Sequence, residues 1–442
     1  MTTKYDNSDA SNWGFATQQI HAGQTLDPTG SRNLPIHMTT SFVFDSAEHA
    51  KQRFALEDLG PIYTRLTNPT VEVLENRIAT LEGGVHAVAF ASGMAAETAA
   101  IQNLAQAGDH IVASPRLYGG TETLLLVTLP RLGITTTFVE DPDDPQSWQD
   151  AVQDNTVAFF GETFANPQAD VLDIPAIAEV AHNNNNVPLI VDNTIATAAL
   201  VRPLELGADI VVSSLTKFYT GNGSSIGGIL VDGGTFDWTQ ERNGKPVFPG
   251  FVTPDPAYHG LKYADLGAPA FGLKARAGLL RDTGAALSPF NAWLGVQGLD
   301  TLSLRMKQHN ENAKQVAEFL DKHPKVASVA YAGLESSPWF KVKEKLGLEY
   351  TGSVLAFDIA TGDADPRETA WKFIDSLKLH SNLANIGDVR SLVVHPASTT
   401  HSQSTEENLN NAGITQATVR LSVGIEDVED IIADLDQAFN AI

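Results

Sequence analysis

Ala208-Asp209-Ile210-Val211-Val212-Ser213-Ser214-Leu215-Thr216-Lys217 is the segment on which the fold turns. A short run rich in β-branched residues reads as a strand buried on both faces. The lysine follows directly, in the company of Ser213, Ser214 and Thr216. Taken alone, such a residue more often marks a charge reaching from a strand end to solvent. Its surroundings suit a different task, because a lysine at a buried strand end presents an amine able to attack a carbonyl.

Short apolar runs recur upstream, at residues 87–90, 110–113, 135–139, 156–161, 188–192 and 209–213, separated by helical patterns. This spacing predicts βαβ units and a largely parallel sheet. Ligands of open α/β sheets gather at the carboxyl ends of the strands. After Lys217 come a glycine-rich run at 221–228 and an irregular stretch over 232–268, long enough to suggest a functional or interfacial reason. A helical pattern over 291–323 bridges to strands at 353–359, 392–395 and 418–422 that alternate with helices. The expected architecture is α/β, a large domain with a mainly parallel sheet plus a smaller α+β C-terminal domain. The run 183–186 reads as a surface turn.

Bulk properties narrow the function classes. The chain has 442 residues, 43% of them hydrophobic and 19% charged, as a globular protein should. No apolar stretch reaches membrane-spanning length, and residues 1–12 lack an apolar core, so neither a spanning segment nor a secretory signal is expected and a cytoplasmic location follows. There are no cysteines, which excludes disulfides, thiolate metal sites and a catalytic thiol; no metal is expected. The net charge of −24, from 53 acidic and 29 basic residues, disfavours nucleic acid and anionic membranes. Any anionic ligand must then find its own local arginine or helix end.

An imine-forming lysine calls for an aldehyde cofactor, and pyridoxal phosphate uses one in that way. Asp192 ends the run at 188–191 and would pair with the ring nitrogen; alone it also fits a turn or helix cap. Ser92-Gly93-Met94 follows a strand and opens a helix, so its N–H groups would face a phosphate, with Ser214 and Thr216 adding hydroxyls. By itself that motif also fits a small-residue turn. Tyr118, in Leu117-Tyr118-Gly119-Gly120, would stack on a flat ring, or pack on the core rim. Asn166 ends the strand leading through Glu162-Thr163-Phe164-Ala165 and would bond the ring hydroxyl.

With these motifs in this order, the chain resembles the γ-subfamily of pyridoxal-phosphate enzymes, the Cys/Met metabolism family. The match extends from His21-Ala22-Gly23 to Arg420-Leu421-Ser422-Val423-Gly424-Ile425-Glu426. The resemblance implies a fold type I pyridoxal-phosphate transferase divided as an N-terminal arm (1–70), a cofactor-binding domain (71–287) and a C-terminal domain (288–442). It implies that Tyr63-Thr64-Arg65, followed by Asn68-Pro69-Thr70, crosses a subunit interface so that Tyr63 and Arg65 grip a neighbour's cofactor phosphate. Arg420 would clamp the substrate α-carboxylate, with Ser391 nearby, and Tyr118 and Tyr63 would assist Lys217 in proton transfer. Dimers with shared sites, often paired into homotetramers, are implied as well.

Within the family, the insertion carrying Gly233-Gly234-Thr235-Phe236-Asp237-Trp238 and Pro256-Ala257-Tyr258-His259-Gly260 is similar to the sulfhydrylase branch, as is the His395–His401 segment. Cystathionine-type relatives carry Gly-Gly-x-Glu-Ser-Leu, where this chain has Gly387-Asp388-Val389-Arg390-Ser391-Leu392. Arg390 in place of that glutamate would repel an ammonium co-substrate and tolerate a small anion. The absence of cysteine speaks against a methionine γ-lyase. The expected reaction is therefore γ-replacement on O-acetylhomoserine by sulfide, in methionine biosynthesis. The alternatives are a cystathionine γ-synthase or γ-lyase, or a non-catalytic cofactor-binding protein. The run at 221–228 lacks the lysine spacing and strand-to-helix context of a nucleotide loop.

Overall fold

Alternation of side chains along each strand builds the central sheet of this computed structural model, which describes residues 10, 12–55, 57–58, 60–184, 186–402, 405–406, 409 and 412–442. Its strands are β1 (His86–Phe90), β2 (His110–Ala113), β3 (Thr135–Phe138), β4 (Thr156–Glu162), β5 (Leu189–Asp192), β6 (Ile210–Ser214) and β7 (Gly228–Asp232), in the order β1-β7-β6-β5-β4-β2-β3. Ile210 and Val212 point into one apolar layer and Val211 into the other; Ile190 and Val191 part in the same way. Each such side chain contributes about 1.5–3 kcal/mol by leaving water. A sheet covered on both faces by helices is the natural result.

β2 to β6 run parallel, and β7 pairs antiparallel with both β1 and β6. β7 is not foreseen by the sequence, where it merges with the glycine run before it. Gly228, its first residue, explains why: a Cβ there would lie 2.0 Å from the Ser92 carbonyl oxygen. Contact with the β1 turn excludes the side chain that would have signalled a strand.

Other expectations change in detail. The irregular stretch after residue 232 holds a small hairpin, β8 (Glu241–Arg242) with β9 (Lys245–Pro246), and packs through aromatic rings. Trp238 stacks on Phe251 and Phe271, with centroids 4.6 and 5.0 Å away. The helical pattern over 291–323 is two helices, Pro289–Leu299 and Leu302–Asp321, separated at Asp300-Thr301. A second sheet follows: β10 (Val326–Ala330), β11 (Val354–Ile359), β12 (Ser381–Asn382), β13 (Leu392–Val394) and β14 (Thr418–Ser422), in the order β10-β11-β14-β13-β12. β10 and β12 are additions to the expected strands.

The helix Leu302–Asp321 ties the two sheets together. Buried Arg305 donates to the carbonyls of Phe218 and Tyr219 at 2.7 and 3.1 Å, just after Lys217. One turn further, His309 Nδ1 bonds the Val423 carbonyl at 2.7 Å, and Asn312 reaches that of Gly424 at 3.1 Å. Among the described residues, no helix is long and apolar enough to cross a membrane.

Candidate active site

A cleft of about 210 Å³ opens where β1, β4, β5 and β6 end. It is lined by Ser92, Gly93, Met94, Tyr118, Asn166, Asp192, Ser214, Thr216, Lys217 and Arg420, together with Glu97, Glu162, Thr194 and Asn385. The register explains the gathering. Asp192 pairs with Val212, and Glu162 with Asp192, so neighbouring parallel strands deliver their terminal residues to one edge.

Lys217 is half-buried, and its Nζ donates to Asn385 Oδ1 at 2.5 Å. Burial, aided by the Arg420 charge, pushes its pKa down to about 8. Loss of water disfavours the ammonium, so a larger share of the amine is neutral and nucleophilic. Gly387, at φ +74°, lets the chain pass close behind the lysine: a Cβ there would lie 2.7 Å from the Phe218 nitrogen and 3.0 Å from the Lys217 carbonyl carbon.

Asp192 is buried, and Oδ1 accepts the Thr194 N–H at 2.7 Å. Burial raises its pKa to about 6, against the pull of Thr194. Burial and the nearby Asp192 charge push both Glu97 and Glu162 well above the usual carboxylate range. Glu162 accepts the Tyr118 N–H at 2.6 Å, and Glu97 accepts the Thr121 hydroxyl at 2.8 Å.

Ser92 caps the helix Gly93–Leu104, its hydroxyl accepting the Ala95 N–H at 3.2 Å. The Gly93 and Met94 N–H groups, at the first turn, have no intrahelical acceptor and lie at the cleft. Ser214 and Thr216 are half-buried beside them; Thr216 also exchanges hydrogen bonds with Gly227 at 3.1 and 3.2 Å. Tyr118 is 46% exposed, its ring standing at the cleft mouth.

Arg420 is buried on β14. Its guanidinium donates to Asn166 Oδ1 at 3.3 Å and to the Asn385 carbonyl at 2.9 Å, while Nε has no partner among the described residues. Burial lowers its pKa only to about 10, so it stays charged at neutral pH. A buried cation with an unused donor is a receptor for an anion.

Four expected residues lie elsewhere. Tyr63 and Arg65 are exposed on the N-terminal segment, the guanidinium 5.5 Å from the ring centroid and bonded to the Arg281 carbonyl. Ser391 is spent on packing: its hydroxyl donates to Glu426 at 3.0 Å and accepts the Gly424 N–H at 2.9 Å. Arg390 pairs with Asp388 at 3.1 Å, with its side chain 66% exposed. Neither lines the cleft. The segment contributes Asn385 instead, two residues before Gly387, for which the sequence suggested no role. Glu97 was also missed, although its place one turn beyond Gly93 on an alanine-rich helix is the available signal.

Pyridoxal phosphate fits this donor set. Lys217 would hold its aldehyde carbon, Asp192 its ring nitrogen, and the Gly93 and Met94 N–H groups its phosphate. The fold and this cleft define a fold type I pyridoxal-phosphate enzyme. More narrowly, the chain belongs to the Cys/Met metabolism PLP-dependent enzyme family, whose model matches residues 16–440. It is 75% identical over 440 residues, 99% of this chain and 100% of the other, to an O-acetyl-L-homoserine sulfhydrylase of Corynebacterium glutamicum. It is 47% identical to a homocysteine synthase of Schizosaccharomyces pombe, across 96% of this chain and 97% of that one. A Campylobacter jejuni crystal structure, described as an O-acetylhomoserine (thiol)-lyase bearing a pyridoxyl-lysine phosphate, superposes with a TM-score of 0.92 at 39% identity, covering 97% of this chain and all of that one.

Proposed function

We propose that the protein catalyses γ-replacement on O-acetyl-L-homoserine with sulfide, giving L-homocysteine and acetate. The observation that carries this reading is the convergence of Lys217, Asp192 and Arg420 in one cleft of a chain three-quarters identical to a sulfhydrylase. The Cγ–O bond breaks, acetate departs with the electron pair, and a Cγ–S bond forms. Bound pyridoxal phosphate supplies the electron sink at Cα.

The chain's own residues supply binding and proton movement. Arg420 holds the α-carboxylate through its unused donor. Lys217, neutral for an appreciable share of the time near pH 8, takes the Cα proton and returns it. Tyr118, at the cleft mouth, closes over the ring face. Asn166 and Asn385 keep Arg420 aimed. Tyr63 and Arg65 do not line their own cleft and serve a neighbour's phosphate, which makes the working unit at least a dimer; a homotetramer in the cytoplasm, acting in methionine biosynthesis, completes the proposal. The divisions at residues 70 and 287 belong to the same reading. Arg390 and Ser391 are left out of the proposed set.

The test is turnover of O-acetylhomoserine with sulfide against cysteine, in wild type and Lys217→Ala. Wild type makes homocysteine faster than cystathionine. The variant loses turnover and the visible lysine–cofactor absorbance together. Faster cystathionine formation, or substantial sulfide-dependent activity in Lys217→Ala, would overturn the reading.

A further inference from the structure

Three buried carboxyl groups, those of Glu97, Glu162 and Asp192, share the floor of the cleft, and Glu97 has no place in the scheme above. Glu97 lies on the helix Gly93–Leu104, 4% exposed, with its carboxyl in hydrogen-bond contact with that of Asp192. Its Oε2 accepts the Thr121 hydroxyl at 2.8 Å. Two buried carboxyl groups in such contact cannot both be ionised: repulsion in a low-dielectric site would cost several kcal/mol. One proton must sit between them.

The groups facing the pair decide where it sits. Glu162 approaches from β4, with Asp170 behind it; Lys217 follows β6 and Arg420 stands on β14. Asp192 has the Thr194 N–H as a further donor, which favours its charged form. Glu97 has the neutral Thr121 hydroxyl and, among the described residues, no ion-pair partner. We propose that Glu97 is a positioning residue that stays protonated, donates its hydrogen bond to Asp192, and thereby holds that carboxylate ionised and aimed at the cofactor ring nitrogen. Thr121 fixes the rotamer of Glu97 from the opposite side. Because Thr121 lies three residues beyond Tyr118, the same contact links the ring-facing tyrosine segment to the floor of the cleft.

The inference rests on the cofactor reading but fails separately from it. Wild-type absorbance and sulfide turnover test that reading; the variants below test Glu97 alone. Glu97→Gln keeps a donor toward Asp192 and an acceptor for Thr121, whereas Glu97→Ala removes both. Three quantities are measured on the purified holoprotein: the pH midpoint of the lysine–cofactor absorbance, pyridoxal phosphate released on dialysis, and the carboxylic-acid stretch in the infrared spectrum. Wild type shows a buried carboxylic-acid band at neutral pH, and Glu97→Gln loses the Glu97 component of it while that of Glu162 remains. Glu97→Gln keeps its absorbance midpoint within about 0.3 unit of wild type, while Glu97→Ala shifts it by about a unit or more and loses cofactor about tenfold faster. Should Glu97→Ala fail to fold, Thr121→Val takes its place and shifts the midpoint in the same direction by a smaller amount. A Glu97→Gln midpoint displaced like that of the alanine variant, or an unchanged infrared band in Glu97→Gln, would refute the assignment.

Discussion

Replacing Arg420 by lysine keeps the charge and removes the planar fork. Arg420 spends two of its hydrogen bonds on Asn166 and the Asn385 carbonyl, leaving Nε free. A lysine ammonium is a compact point charge that cannot satisfy those two acceptors and also present parallel donors to a carboxylate. A charge-assisted hydrogen bond in a buried site contributes about 1.5–3 kcal/mol, so losing one, with imperfect seating of the other, costs about 2–4 kcal/mol. The expected fall in kcat/KM is roughly 30- to 1,000-fold. Because the carboxylate contact is the same before and during the step at Cγ, the loss belongs mainly to KM for the amino-acid substrate. The assay is steady-state kinetics with O-acetylhomoserine at saturating sulfide, with absorbance and a thermal melt confirming a loaded, folded protein. A kcat/KM within about threefold of wild type, or a loss confined to kcat, would refute a carboxylate-binding role for Arg420.

Gly387→Ala forces a left-handed backbone on a side-chain residue and drives a Cβ into the Lys217 main chain; a destabilisation of about 2–4 kcal/mol is expected in denaturant unfolding. A midpoint unchanged from wild type would contradict the close approach. Lys217 has its pKa lowered from 10.5 to about 8, so its neutral share grows with pH up to that point. The rate at which cofactor-free protein takes up pyridoxal phosphate should therefore rise about tenfold per pH unit below 8 and level off above; a midpoint near 10 would contradict the burial argument. Finally, inactive Arg65→Ala and Lys217→Ala chains, dissociated and reassembled together, should regain about a quarter of wild-type activity, since half of random dimers hold one complete site. No recovery on proven co-assembly would remove Arg65 from the neighbouring site.

Residues next to a strand end could be read from the chain because their position in sequence dictates their position in space. Lys217 and Asp192 lie at or just beyond the ends of adjacent parallel strands, so an apolar run followed by a polar residue was enough to find them. Ser92 was legible for the same reason, as a cap between strand and helix. Asn385 was not: it reaches Lys217 from 168 residues away, and loop conformation rather than periodicity brings it there. Arg390 shows the converse. Likeness to a family motif gave it a place in the string, but in the fold it pairs with Asp388 and its side chain is exposed. β7 stayed hidden because the contact that requires Gly228 also erased the strand pattern.

The double engagement of Asn385 has a consequence for what the cleft can recognise. Its side chain takes the lysine amine, and its own carbonyl takes the arginine. One residue therefore sets the spacing between Lys217 and Arg420. Under the proposed function, that spacing would act as a ruler for the α-amino acid head of a substrate, independent of what hangs from its γ-carbon.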